Sequence, residues 1–230
     1  GWGNLLAQNA GSNYARQVNT LIGTKGVGLT SGYLYPGATY PYGMVQFTPS
    51  SFSKRSGFVI NQLSGGGCEH MGNFPTFPVK GKLKMSPDNI LNYRINVSEE
   101  KGHAGYYEAM VQEDIKAKLT VTERTGMASY EYPADQQYGT VIIGGGISAT
   151  PIEQAAIVIT APNKCEGYAE GGNFCGLRTP YKVYFVAEFD ADALESGTWK
   201  RDELKPNTTF AEGEYSGVYF TFDVSKKKNV

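Results

Sequence analysis

The chain has 230 residues, with 21 Lys and Arg against 22 Asp and Glu and a formal net charge of −1. That balance excludes the clustered basic surplus needed to bind nucleic acid, and 40% hydrophobic with 13% aromatic content excludes a chain too polar to build a core. The length fits one large domain, and 29 glycines, 11 prolines, 16 tyrosines and 11 phenylalanines predict many turns joining aromatic strands.

Taken in chain order, the first candidate element spans Asn4 to Val18. Leu5, Leu6, Ala10 and Tyr14 recur at loosely helical spacing there, but Gly11-Ser12-Asn13 interrupts them. The reading is an N-terminal arm or one short helix over residues 1–17. Short strand candidates follow at 44–47, 80–85, 93–97 and 106–111. Strict alternation first appears at 115–122, with Ile115, Ala117, Leu119 and Val121 on one face and Lys116, Lys118, Thr120 and Thr122 on the other. Further candidates lie at 128–132, 140–143 and 155–160. The run 181–189 places Tyr181, Val183, Phe185, Ala187 and Phe189 on one side, and Val218, Phe220, Phe222 and Val224 repeat the pattern near the end. About ten strands separated by Gly, Pro, Asn and Asp clusters predict an all-β chain, a large antiparallel β-sandwich with at most one or two short helices. Ile115, Leu119, Phe185, Phe220 and Phe222 are the expected core.

No window approaches the ~18 apolar residues of a membrane span, and the opening Gly1-Trp2-Gly3-Asn4 carries no secretory signal. The start at Gly1 and the stop at Val230, just after a strand-like run, read as an excised piece of something longer. Cys68, Cys165 and Cys175 allow one bridge at most, Cys165–Cys175 in an oxidising compartment, with free thiols the equal alternative.

Chemistry-bearing patterns are sparse. Ser64-Gly65-Gly66-Gly67-Cys68 lacks the ending of a phosphate-binding loop, so it reads as a segment needing close backbone approach. His70 and His103 are the only histidines and neither has metal-ligand spacing, so no metal site is expected in this chain. Glu99-Glu100 and Glu113-Asp114 are sequence neighbours beside strands, which makes them solvated surface rather than an opposed acid–base pair.

Six segments, in order, resemble the N-terminal domain of glycoside hydrolase family 92, the calcium-dependent exo-acting α-mannosidases. Val18-Asn19-Thr20-Leu21-Ile22-Gly23-Thr24 is similar to the family's opening. Pro36-Gly37-Ala38-Thr39-Tyr40-Pro41-Tyr42-Gly43-Met44-Val45-Gln46-Phe47-Thr48-Pro49 is the most specific match. Gly57-Phe58 through Leu63-Ser64-Gly65-Gly66-Gly67-Cys68, Glu100 with Gly105-Tyr106-Tyr107, Leu119-Thr120-Val121-Thr122-Glu123-Arg124-Thr125-Gly126, and Gly172-Asn173-Phe174-Cys175-Gly176 complete the series. The pattern departs at Ile60 and Gln62, where the family carries two histidines, and at Ala104, where it carries proline.

The resemblance implies a galactose-mutarotase-like super-sandwich over 18–230, packed in the full-length protein against a C-terminal (α/α)6 catalytic domain. It implies that the catalytic acid, the base and most of a calcium site lie in that second domain, so that no residue here is catalytic and this chain alone is inactive. It places Gln62, Ser64, Gly66, Cys68, Asn173, Phe174 and Cys175 at the sugar-binding cleft. The implied substrate is a glycan bearing terminal α-mannosides, and the implied address is periplasmic or secreted. The alternative is a stand-alone carbohydrate-binding or structural module.

Overall fold

In the computed structural model the described residues are 14–24, 34–49, 57–63, 72–88, 97–148, 150–172 and 176–230. A single turn of 3-10 helix, Tyr14–Gln17, precedes sixteen strands among them. The first half of the chain forms β1 (Ala38–Thr39), β2 (Gln46–Pro49), β3 (Phe58–Val59), β4 (Thr76–Lys80), β5 (Val97–His103), β6 (Tyr106–Val111), β7 (Ile115–Val121) and β8 (Gly126–Glu131). The second half forms β9 (Tyr138–Gly144), β10 (Ile152–Ala161), β11 (Lys164–Gly171), β12 (Tyr181–Glu188), β13 (Glu195–Lys200), β14 (Glu203–Pro206), β15 (Phe210–Glu212) and β16 (Ser216–Asp223). Among the described residues no helix is long and apolar enough to cross a membrane.

The strands assemble into an eight-stranded sheet ordered β1-β2-β3-β4-β9-β16-β13-β14 and two four-stranded sheets, β5-β6-β7-β8 and β12-β11-β10-β15. Consecutive strands joined by short turns pair antiparallel, as β6 does with β7 and β10 with β11. β1 and β2 pack against β7, while β16 packs against β10 and β15, so the two small sheets cover the large one. One core joins all three: Phe58, Val141 and Phe220 from the large sheet, Tyr107 and Leu119 from one small sheet, Ile157 and Cys165 from the other. This is the expected all-β sandwich, and burying one apolar face per sheet is what holds it together.

The alternation at 115–122 is realised in β7, where Ile115, Ala117 and Leu119 are buried and Lys116, Lys118 and Thr120 are not. Other expectations need correction. Val218, Phe220 and Phe222 are buried as predicted, but Tyr219 and Thr221 on the opposite face of β16 are buried too. β16 lies between β9 and β13 and is covered on both sides, so its alternation marks no wet face. Thr221 pairs its hydroxyl with that of Thr140 at 2.8 Å, which makes its burial tolerable.

The strand expected at 80–85 instead ends at Lys80; β4 precedes it and contains Pro78. Gly81 donates to the Tyr138 carbonyl, so alternate N–H groups back along β4 point to β9 and position 78 points the other way. On that side β3 pairs with β4 only at Phe58↔Thr76, so the missing N–H of Pro78 interrupts no ladder there. Phe185 was expected in the core and is only half-buried, because β12 is the outer strand of its sheet. The candidate at 93–97 lies, except for Val97, outside the described residues, as does the arm before Tyr14.

Cys165 is a free thiol, buried in β11, and burial pushes it up to about 12. Cys175 and Cys68 lie outside the described residues.

Candidate functional site

Two segments of the chain meet where β3, β4 and β12 begin or end. Asn61 follows β3, and Asn73 precedes β4. Their side chains lock together: Asn61 Nδ2 donates to Asn73 Oδ1 at 2.9 Å, and the Asn73 backbone N–H donates to Asn61 Oδ1 at 2.7 Å. Asn73 then reaches across to the first residue of β12, its Nδ2 donating to the Tyr181 hydroxyl at 3.2 Å. The Tyr181 hydroxyl also lies 3.4 Å from that of Thr150. The Thr150 N–H in turn donates to Ser148 Oγ at 3.4 Å. A chain of neutral amides and hydroxyls therefore ties the large sheet to a small one.

Close backbone approach makes room for this network. A Cβ on Gly171, opposite Tyr181 in the β11–β12 ladder, would lie 2.9 Å from the Tyr181 hydroxyl oxygen. Only glycine fits there.

Beside the network sits Gln62. The residue is 2% exposed, and neither Oε1 nor Nε2 has a hydrogen-bond partner among the described residues. An amide buried with both ends unmatched costs free energy unless something else binds it, so it is an available donor and acceptor at the same place. Ser64, Gly66, Cys68, Asn173, Phe174 and Cys175 lie outside the described residues. The described roots of their two segments are Gln62 and Leu63 with Gly72 on one side and Gly172 with Gly176 on the other. The Asn73–Tyr181 bond joins the neighbours of those roots.

A concavity of about 290 Å3 gathers three of the quoted segments: Asn19 and Thr20 from the first, Gly37 and Thr39 from the second, and Gly105 of the Gly-Tyr-Tyr run with His103 just before it. The motif residues here also have a packing reason. A Cβ on Gly37 would meet the Phe47 carbonyl oxygen at 2.1 Å, and the Gly37 N–H donates to Thr48 Oγ1 at 3.0 Å. Near it, Tyr106 donates to Glu108 Oε2 at 2.7 Å. That bond, assisted by Lys116 and Lys101, holds the Glu108 carboxyl below the usual carboxylate range against its own burial. Burial first, and Glu108 second, push the Tyr106 hydroxyl up to about 12. This convergence was not expected from the sequence, because nothing in the spacing of residues 19, 37 and 103 announces that they meet.

Among the described residues no three His, Cys, Asp or Glu side chains converge. The described residues by themselves therefore assemble no carboxylate cluster that could hold calcium. The side chains joined here, Asn61, Asn73, Tyr181 and Thr150, are amides and hydroxyls, each able to donate and accept hydrogen bonds without carrying charge at neutral pH.

Known proteins resemble this chain in sequence and in fold. An uncharacterized secreted glycosidase of Arthroderma benhamiae is 30% identical over 138 residues, covering 51% of this chain and 17% of that protein. A family GH92 alpha-mannosidase from Bacteroides thetaiotaomicron superposes with a TM-score of 0.78 at 24% identity, over 92% of this chain and 32% of that one. A GH92 inverting mannosidase from the same species gives 0.77 at 23% identity, over 94% of this chain and 30% of that one. These structural likenesses concern the fold, and the chain spans less than a third of the length of those relatives. The glycosyl hydrolase family 92 N-terminal domain model matches residues 17–230, and the chain belongs to that family.

Proposed function

We propose that this chain is the sandwich domain of a glycosidase that removes terminal α-mannosides from glycans, supplying scaffold and part of the sugar-binding cleft. The observation that carries the proposal is the buried, unpartnered amide of Gln62 beside the Asn61–Asn73–Tyr181 network, at the roots of two glycine-rich segments. Neutral donors and acceptors backed by a rigid polar network suit a hydroxyl-rich ligand whose orientation has to be fixed. Ser64, Gly66, Cys68, Asn173, Phe174 and Cys175 are proposed to complete that edge of the cleft.

The reaction of such an enzyme inverts the anomeric centre: one carboxylic acid protonates the leaving oxygen while an opposed carboxylate activates water. In this proposal both carboxylates, with most of a calcium site, belong to a C-terminal (α/α)6 domain, and the present chain positions the sugar. The relative named as a secreted glycosidase supports a secreted or periplasmic address.

The test is kinetic. In the full-length enzyme, Gln62→Ala is expected to lower kcat/KM on α-mannosides about tenfold to a hundredfold, as the loss of one buried polar contact does. The 230-residue chain alone is expected to show no turnover of aryl α-mannosides. An unchanged kcat/KM in Gln62→Ala would remove Gln62 from the cleft, and turnover by the isolated chain would move the catalytic groups into it.

A further inference from the structure

The two small sheets lie side by side on the large one, and their facing edges, β8 and β12, do not pair with each other. Between them runs a groove of about 620 Å3, floored by Val141 and Ile143 and walled by Ala128, Tyr130, Val183 and Phe185. Each edge is prepared for a partner.

On the β8 side the partner has already arrived. The Tyr130 N–H donates to the Val230 carbonyl at 2.7 Å, Val230 donates back at 3.1 Å, and the Tyr132 N–H donates to the Lys228 carbonyl at 2.8 Å. Residues 228–230 thus run antiparallel to β8, and Glu131 pairs with Asn229. Val230 is itself part of the groove wall and packs on the core.

On the β12 side no strand occupies the edge among the described residues. Phe189 donates to the Asn163 carbonyl, so alternation sends the N–H groups of Ala187, Phe185 and Val183 toward β11. The N–H groups of Lys182, Tyr184, Val186 and Glu188 then point into the groove. Among the described residues β12 pairs only with β11. Lys227 forms an ion pair with Asp190, just past the end of β12, so the tail enters the groove beside that end and runs antiparallel to β12 as well.

We propose that polypeptide continuing beyond Val230 fills this groove as one further strand, pairing β8 on one side and β12 on the other and fusing the two small sheets into one. Three observations identify the occupant: the direction of residues 228–230, the outward amides of β12, which have no partner strand among the described residues, and relatives about three times as long as this chain. An exposed sheet edge beside a half-buried apolar wall is a site for strand addition. The register also fixes the pattern. Val230 faces inward opposite Tyr130, so the second residue beyond it comes opposite Ala128 and the fourth opposite Gly126. Both of those positions must therefore carry apolar side chains, covering Phe185 and Val183. This holds whatever sugar the protein acts on.

The experiment compares the 230-residue chain with the same chain extended by the next ten residues of its reading frame. Hydrogen exchange at the amides of Lys182, Tyr184, Val186 and Glu188 is expected to slow at least a hundredfold in the extended chain alone. Val186→Pro removes one of these N–H groups; it should be tolerated on the open edge and lower the Tm of the extended chain by roughly 5 °C or more. Equal exchange in both chains, an equal effect of Val186→Pro in both, charged residues at the second and fourth positions, or a frame that closes at Val230 would each overturn the proposal. Concentration-dependent dimerisation of the 230-residue chain with protection at these same amides would overturn it too, by giving the groove to a second copy.

Discussion

Single residues in this domain carry costs that substitution can expose. Gln62 buries an amide whose two polar atoms have no partner among the described residues, which costs about 1–3 kcal/mol for each group left unmatched. Gln62→Met, similar in shape and apolar, is expected to leave the isolated chain as stable or raise its Tm by a few degrees, read by thermal unfolding. A large loss of stability would mean that the amide is bonded within the domain. Backbone strain gives a second case. The β6–β7 hairpin turns through Gln112 and Glu113, with φ of 50° and 77°, a conformation that side chains with a Cβ resist. Glu113→Gly is expected to gain about 0.5–1 kcal/mol in urea unfolding.

Glu108 supplies a pH dependence. Its carboxyl, 16% exposed, is held below the usual range first by the Tyr106 hydroxyl and then by Lys116 and Lys101. A carboxyl with a lowered folded value binds fewer protons folded than unfolded. Its contribution is therefore present above the ordinary glutamate range and lost as pH falls through the lowered value. Glu108→Gln is expected to cost about 1 kcal/mol near neutrality, with the difference from the native chain vanishing in acid, as chemical denaturation at several pH values would read. A constant difference across pH would mean that packing, not charge, matters at this position.

At the scale of elements, β16 is the strand on which the core depends. Phe220 is fully buried between β9 and β13, and Phe189 packs on it at 4.9 Å. Phe220→Ala is expected to cost about 3–5 kcal/mol. How far such elements were legible depends on their surroundings. β6 falls at the expected residues and β7 one residue short of them, because each keeps one wet face and writes its alternation plainly. β11 and β13 were not expected: Lys164-Cys165-Glu166-Gly167 and Glu195-Ser196-Gly197 mix small and charged residues, and neighbouring strands supply the pairing that propensity does not. Phe185 looked like core from its alternation, yet burial depends on what lies beyond the edge of the sheet, which local sequence does not encode.

At the scale of the molecule, amino-acid pattern alone determined the class of fold and, through six ordered segments, the family. Each of these follows from local chemistry repeated along the chain: period-two alternation, turn residues and motif spacing. What only the tertiary structure decided is adjacency. Asn73 meets Tyr181 across 108 positions, an encounter set by how a small sheet is laid on the large one. Gln62 was legible as a polar residue in a glycine-rich segment, but its lack of a partner among the described residues is a property of packing. The same holds for the groove that receives Val230. Sheet order and stacking arise from burying many apolar faces at once, a collective solution that no single stretch of residues specifies.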